Sequence, residues 1–349
     1  MLIVPRQLLL PSICVFLIAI WLVISLLSSR SNYNEPGVSP SSILQVSGSA
    51  ADNASNTTIG FEKILVLSHG PSWRTRGLAA AANLTGLQYT VPPQPPVHPE
   101  LSAAFAKLGS DKGKDSPTPG GSRAWLAHLD LIKYVYQLNI QTALIIEDDT
   151  DWDVSLRTQM KSIASAIRNL TLTDDLEISP YGSDWDIIWI GHCGEFWDNG
   201  LETVLFDDIS VCPHDKYYGW ARDYMSRIPE GKRGVYWSSN PVCSFAYALT
   251  HEGARKVLEL TGAGQGEAFD VKMMGECKIG NLKCISVVPE VIHQYFPAEG
   301  YGVKSLKDIG DGETPGTEDG RFESIKGSTE NILFSARCQA LWGETCIRQ

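Results

Sequence analysis

The chain is short of positive charge: 29 Lys and Arg stand against 40 Asp and Glu, a formal charge of −11 over 349 residues. It lacks the basic footprint by which proteins hold nucleic acid, so no nucleic-acid partner is expected. No glycine-rich loop ends in Gly-Lys-Ser/Thr, and Gly262-Ala-Gly-Gln-Gly266 follows a helical pattern rather than a strand, which removes the P-loop and dinucleotide readings. His-Glu-x-x-His, paired Cys-x-x-Cys and Gly-x-Ser-x-Gly patterns are missing too, which weakens the hydrolase classes. Nothing suggests internal repeats. What is present, 43% hydrophobic and 20% charged residues, suffices for one or two substantial cores and is not the composition of a disordered acidic polymer.

Charge is also missing from the stretch Leu8 to Leu27. At about 1.5 Å per residue this apolar helix would reach about 30 Å, the hydrocarbon thickness of a bilayer. Secretory signal cores are shorter and end at better cleavage sites, so an uncleaved anchor is favoured over a signal peptide or a buried helix. The expected organisation is a cytosolic tail at 1–7, a signal anchor at 8–27, a flexible Ser-, Asn- and Gly-rich stem at 28–60, and a catalytic domain at 61–349. Four N-glycosylation acceptor patterns, at Asn53, Asn56, Asn83 and Asn169, and seven cysteines beyond the span suit an oxidising lumen. These features point to a single-pass type II protein of the Golgi or endoplasmic reticulum membrane with a lumenal domain. Seven is odd, so one thiol is expected to stay unpaired; Cys277 with Cys284 and Cys338 with Cys346 are the closest candidate disulfides.

From Phe61 onward, short apolar runs alternate with segments of helical period. Ile64 to Ser68, Leu87 to Val91, Thr142 to Ile146, Asp186 to Ile190, Phe245 to Leu249 and Cys284 to Val288 read as strands. Ser122 reads as the cap of a helix with the stripe Trp125, Leu129, Ile132, Tyr136. The alternation predicts an α/β fold with a mainly parallel sheet flanked by helices, and ligands in such sheets bind at the carboxyl ends of the strands.

At one such end stand Glu147, Asp148 and Asp149. Three adjacent carboxylates repel one another unless a cation neutralises them, and a hard divalent ion is a natural partner. If the strand persists, Glu147 and Asp149 share a side and could hold the ion, while Asp148 reaches a sugar hydroxyl. The plainer alternative is a solvated acidic loop capping the next helix. Trp73, Arg74 and Arg76 in the first turn could stack on a base and pair with phosphate, or be an ordinary surface loop. His128 reads more as a satisfied, half-buried helix histidine than as a ligand, and His293 could present an imidazole at the same sheet edge or be a buried structural residue.

In order, Ile64 to Arg76, Gly121 to Leu131 (GSRAWLAHLDL), Ala143 to Asp149 (ALIIEDD), Asp186 to Gly191 (DIIWIG), Ala246 to Leu258 (AYALTHEGARKVL), Phe269-Asp270 and Ile285 to Pro289 (ISVVP) resemble the motifs of glycosyltransferase family 25. That family includes lipooligosaccharide and collagen galactosyltransferases. The usual Asn-Leu and paired arginines of its first turn stand here as Leu-Ser and Arg74-Thr-Arg76, and its Ser-His as Ala127-His128. The resemblance implies a GT-A type nucleotide-diphospho-sugar transferase fold, a UDP-hexose donor, commonly manganese, and inversion at the anomeric carbon. It implies Glu147 and Asp149 as metal ligands, with His293 as a possible third by analogy with metal-dependent GT-A enzymes. Asp148 would serve ribose or metal, and Trp73, Arg74, Arg76 and His128 the nucleotide. Asp270 is the candidate base, its alternative being a helix cap. The acceptor would be a glycan or glycoprotein hydroxyl. Two rival readings are a catalytically silent sugar-binding or chaperone-like protein of the same fold and a metal-dependent phosphohydrolase.

Overall fold

The structure, a computed structural model, describes residues 49–108, 116–197, 199–238, 240–298 and 323–348. The expected tail, the span at 8–27 and most of the stem lie outside them. Among the described residues no helix is long and apolar enough to cross a membrane. The stem's expected end at residue 60 is corrected: a 3-10 helix, Ala50–Ser55, already belongs to the folded unit. Ala51, Ala54 and Ile59 are buried, and Arg157 donates to the Ser55 carbonyl at 2.7 Å, so small apolar side chains in a polar stretch suffice to dock it.

Seven strands form the main path of the sheet, in the order β1 (Lys63–Leu67), β2 (Thr142–Glu147), β7 (Ala246–Thr250), β4 (Ile187–Gly191), β8 (Cys284–Val288), β6 (Lys232–Trp237) and β5 (Thr203–Asp207). β1 and β2 are parallel, as are β4 and β8; β7 runs against both its neighbours, and so does β6. Five of the seven strands therefore point one way. Because the two reversed strands sit inside the sheet, four of its six adjacent pairs are antiparallel, so the sheet is mixed by pairing and mainly one-directional by orientation. A short annex, β3 (Thr150–Trp152) and β10 (Ser328–Thr329) on β9 (Ile292–Phe296), continues from the edge of β4.

Alternation along β2 divides the core. Leu144 and Ile146 meet α1 (Trp73–Thr85) and α4 (Leu156–Leu170) on one face, whereas Ala143 and Ile145 meet α3 (Pro119–Gln137), α6 (His251–Thr261) and α7 (Phe269–Lys278) on the other. Between them in sequence lie α2 (Pro99–Leu108) and α5 (Arg222–Met225), and α8 (Ala336–Trp342) is the last helix of the described residues. α3 begins earlier than expected because Thr118, not Ser122, caps it: its side chain accepts the Gly121 N–H at 3.0 Å, with Pro119 in the first turn. The buried stripe ends at Val135, and Tyr136 instead stacks on His251 at the surface. The expected strand at Leu87 to Val91 is a single bridge, Thr90 to Leu65.

Cys277–Cys284 and Cys338–Cys346 are bonded, and a third bridge, Cys193–Cys243, joins the loop after β4 to the loop before β7. Cys212 is the free cysteine of the described residues, buried, its thiol pushed up to about 12 by burial and then by Glu290. Iodoacetamide therefore leaves Cys212 unmodified in the native protein and labels it after unfolding. Peptide mapping by mass spectrometry checks this; native labelling at the rate of a free thiol would contradict the burial.

Candidate active site

Leu67 lies opposite Glu147 in the parallel pair, so the turns leaving β1 and β2 run side by side. The Asp148 N–H reaches back to the Leu67 carbonyl at 3.1 Å, and Ser68 Oγ donates to Asp148 Oδ2 at 2.6 Å. Ser72 then caps α1: its hydroxyl accepts the Arg74 N–H at 3.2 Å while Thr75 Oγ1 accepts the Ser72 N–H at 2.9 Å. This cap fixes the first helical turn so that Arg74 Nη1 pairs with Asp149 Oδ2 and lies 3.6 Å from Asp148 Oδ1.

The alternation expected across the triplet is overturned. β2 stops at Glu147 and the backbone turns, so Asp148 and Asp149 share one guanidinium. Glu147 faces α3 instead, its Oε1 3.5 Å from His128 Nε2. His128 is buried, stacked on Phe269 with ring centroids 4.9 Å apart, its Nδ1 3.1 Å from the Tyr247 hydroxyl and its Nε2 3.3 Å from Ser244 Oγ. It is thus a satisfied helix histidine, yet one that touches the acidic turn.

A second cation went unread in the sequence. Arg337, buried on α8, donates through Nη2 to the carbonyls of Arg74 (3.2 Å), Asp148 (3.1 Å) and Thr150 (3.1 Å), which clamps both turns from beneath. Its backbone N–H goes to buried Asp151 Oδ1 at 3.0 Å, and Ser335 Oγ holds the other oxygen of that carboxylate. Burial lowers the Arg337 pKa, opposed by Asp151 and Asp149. The sequence does hold a trace of this residue. Gly77 lies mid-helix in Ala-rich α1, where a Cβ would come 2.5 Å from the Arg337 guanidinium.

Charge in the turn does not balance. Burial pushes Asp149 up to about 7 against the opposing pull of Arg74, and Glu147 and Asp148 push the same way. Burial also raises Asp148, with Ser68 and Arg74 opposing. Asp149 Oδ1 is buried without a hydrogen-bond partner. The two arginines thus replace part of the neutralisation first assigned to a metal. The orphaned oxygen and the raised carboxylates of Asp148 and Asp149 still suit a further cation, but Glu147 faces α3 and does not join them in one ligand set, so a hard divalent ion here fits the aspartate pair and not the whole triplet.

Three other expectations are corrected. Trp73 is buried among Tyr295, Cys338 and Cys346, with both arginines over its ring, so packing takes the surface a base would need. Arg76 turns away to Glu323, at 2.6 Å, because it stands two residues beyond Arg74 on the helix. His293 pairs in register with Asp151 and lies buried against Phe245, 3.9 Å from Glu290 Oε1 and 3.8 Å from Glu330 Oε2. Burial lowers its pKa. It does not join Glu147 and Asp149: among the described residues the one trio of such side chains with ligand atoms within 4.8 Å is Asp151, Cys338 and Cys346, whose sulfurs are already bonded to each other.

Asp270 stands in the first turn of α7 beside Phe269. It is not the cap, which is Ala268; its Oδ2 accepts the Cys243 N–H at 2.8 Å. Since β7 is reversed, its amino end brings Cys243 and Ser244 to the edge where β1, β2 and β4 end. Asp270, His128 and the acidic turn are thereby linked through adjacent contacts.

No family model matches the chain, and no curated protein matches it. Among solved structures the chain is similar to the crystal structure of mannose-1-phosphate geranyltransferase from Thermus thermophilus, at 13% identity over 65% of this chain and 74% of that one. The TM-score is 0.26.

Proposed function

We propose that the protein is a UDP-sugar-dependent hexosyltransferase of the family 25 kind that moves galactose, with inversion, onto a glycan or glycoprotein hydroxyl. The observation that carries this reading is the buried pair Asp148–Asp149 at the carboxyl edge of the sheet, tied to Arg74 of the neighbouring turn and left with one unpartnered oxygen. A manganese or similar divalent ion held by Asp148 and Asp149 would offset the negative charge that develops on the departing UDP. Arg74, poised between the two turns, would pair with phosphate oxygens, and Arg337 holds both turns in register from below. Asp270 would accept the proton of the acceptor hydroxyl as its oxygen bonds to the anomeric carbon and the bond to UDP breaks. Three disulfides and exposed Asn53, Asn56, Asn83 and Asn169 support a lumenal domain behind an amino-terminal anchor.

A second reading, a catalytically silent sugar-binding protein, is favoured by the ion pair itself, because Arg74 already neutralises part of the turn. A panel of UDP-sugars with and without manganese separates the two. The transferase reading expects UDP release from UDP-galactose or UDP-glucose that needs the ion; no release from any sugar would leave the silent reading.

A further inference from the structure

We propose that Trp220, with Phe196 packed edge to face beside it, forms a carbohydrate-binding platform on which one pyranose ring of the acceptor stacks against the indole; only the word acceptor rests on the transferase reading above. Phe196 is 47% and Trp220 48% exposed, although the two rings pack edge to face with centroids 5.1 Å apart, and Tyr224 lies 4.9 Å from Phe196. Two large aromatic side chains side by side and half in water form a contiguous apolar patch, unlike the scattered single exposures that are ordinary at a protein surface.

Their exposure is not slack. The Tyr236 hydroxyl donates to the Phe196 carbonyl at 2.9 Å. Asn331 brackets Tyr218, accepting its N–H at 2.7 Å and donating to its carbonyl at 3.1 Å, while also donating to buried Glu290 at 2.6 Å. Gly194, at φ +107°, lets the two loops touch, since a Cβ there would collide with that of Ala221. The backbone that presents both rings is therefore fixed before any ligand arrives, which is what lowers the entropy cost of binding.

The platform is also joined to the site. Its first loop leaves β4 at the shared edge and is bonded through Cys193 to Cys243. The Cys243 N–H is held by Asp270, and the next residue, Ser244, touches His128. Size and chemistry select the occupant. An aromatic side chain carries about 150–250 Å², so two half-exposed rings offer roughly 200 Å², enough for one sugar face. A stable protein interface buries about 1,200 Å² or more. The π faces are electron-rich and match the polarised C–H face of a pyranose, while exposed Arg222 and Asp223 follow Trp220 closely in the chain and Arg227 lies over the Tyr224 ring, groups that bind hydroxyls.

Saturation-transfer NMR on the full chain tests this, with methyl β-galactopyranoside, methyl β-glucopyranoside and methyl α-mannopyranoside as probes and acetyl-Ala-Ser-Ala-amide as the sugar-free control. The expected result is transfer to the ring C–H protons of at least one glycoside, reduced at least fivefold in Trp220→Ala, partly restored in Trp220→Phe, and unchanged in Ile209→Ala, whose side chain is exposed elsewhere. No transfer to any glycoside, equal transfer in Trp220→Ala, or equal transfer to the peptide would overturn the proposal. Transfer without any UDP release in the sugar-nucleotide panel would sink the transferase reading and leave the platform as a sugar site; UDP release without transfer would sink the platform alone.

Discussion

Asp149→Asn is expected to lower UDP release at least a hundredfold while making the fold more stable at neutral pH. The loss follows from removing the anionic oxygen that suits the cation and the partner that positions Arg74. The gain follows from linkage. The folded-state pKa of Asp149 is raised from 3.8 to about 7, chiefly by burial, so between those values the native protein holds a proton that the unfolded chain has released. Stability is therefore lost as pH rises through that window and stays lost above it. Asparagine, never ionised, escapes the loss. About three pKa units at ~1.4 kcal/mol each set an upper bound of roughly 4 kcal/mol. Urea unfolding in the presence of EDTA checks the sign: the stability difference between variant and wild type grows from pH 4 to pH 7 and vanishes below pH 4. A variant less stable than wild type at pH 8 would show that the Arg74 pair outweighs burial.

The second large effect belongs to Arg337. Arg337→Met would leave the carbonyls of Arg74, Asp148 and Thr150 without their donor and take a buried cation away from Asp151 and Asp149. Breaking a buried ionic network from one side costs about 3–5 kcal/mol, so the urea midpoint should fall steeply. Arg337→Lys should recover part of that, because all three carbonyls are met by one nitrogen, Nη2, and an ammonium keeps the charge and three donors but loses the planar stacking over Trp73 and Tyr295. A change under ~1 kcal/mol for the methionine variant would mean that the two turns hold each other without help from α8.

Much of this fold was legible because burial has a period. Five strands of the central sheet, β1, β2, β4, β7 and β8, announced themselves as apolar runs, and β8 falls at Cys284–Val288, where the sequence placed it. Strand direction was not legible, since neither β7 nor β6 carries any mark of reversal in its own residues. β5 and β6 were missed: β5 has only three consecutive apolar residues, Val204 to Phe206, and is partly in water, and β6 opens on Lys232, Arg233 and Gly234. At the site, residue types were readable and partners were not. Glu147, Asp148 and Asp149 were found as a cluster, but the turn after Glu147 and the guanidinium that meets it come from contacts more than 70 residues apart. Arg337 is more distant still. Its only traces were Gly77 and an arginine beside a cysteine suited to a short disulfide. Trp73 and Arg76 were misplaced for a common reason: helix α1 begins at Trp73, and successive positions on a helix point about 100° apart, so three residues that look like one basic turn have separate surroundings.

The central claim is that the buried carboxylates at this sheet edge bind a nucleoside diphosphate together with a cation. Calorimetric titration of UDP into the full chain, with manganese and then with EDTA, tests it most directly. Saturable binding that requires the ion is expected in wild type, and none in Asp149→Asn. Binding of equal strength in EDTA, or no binding under either condition, would contradict it.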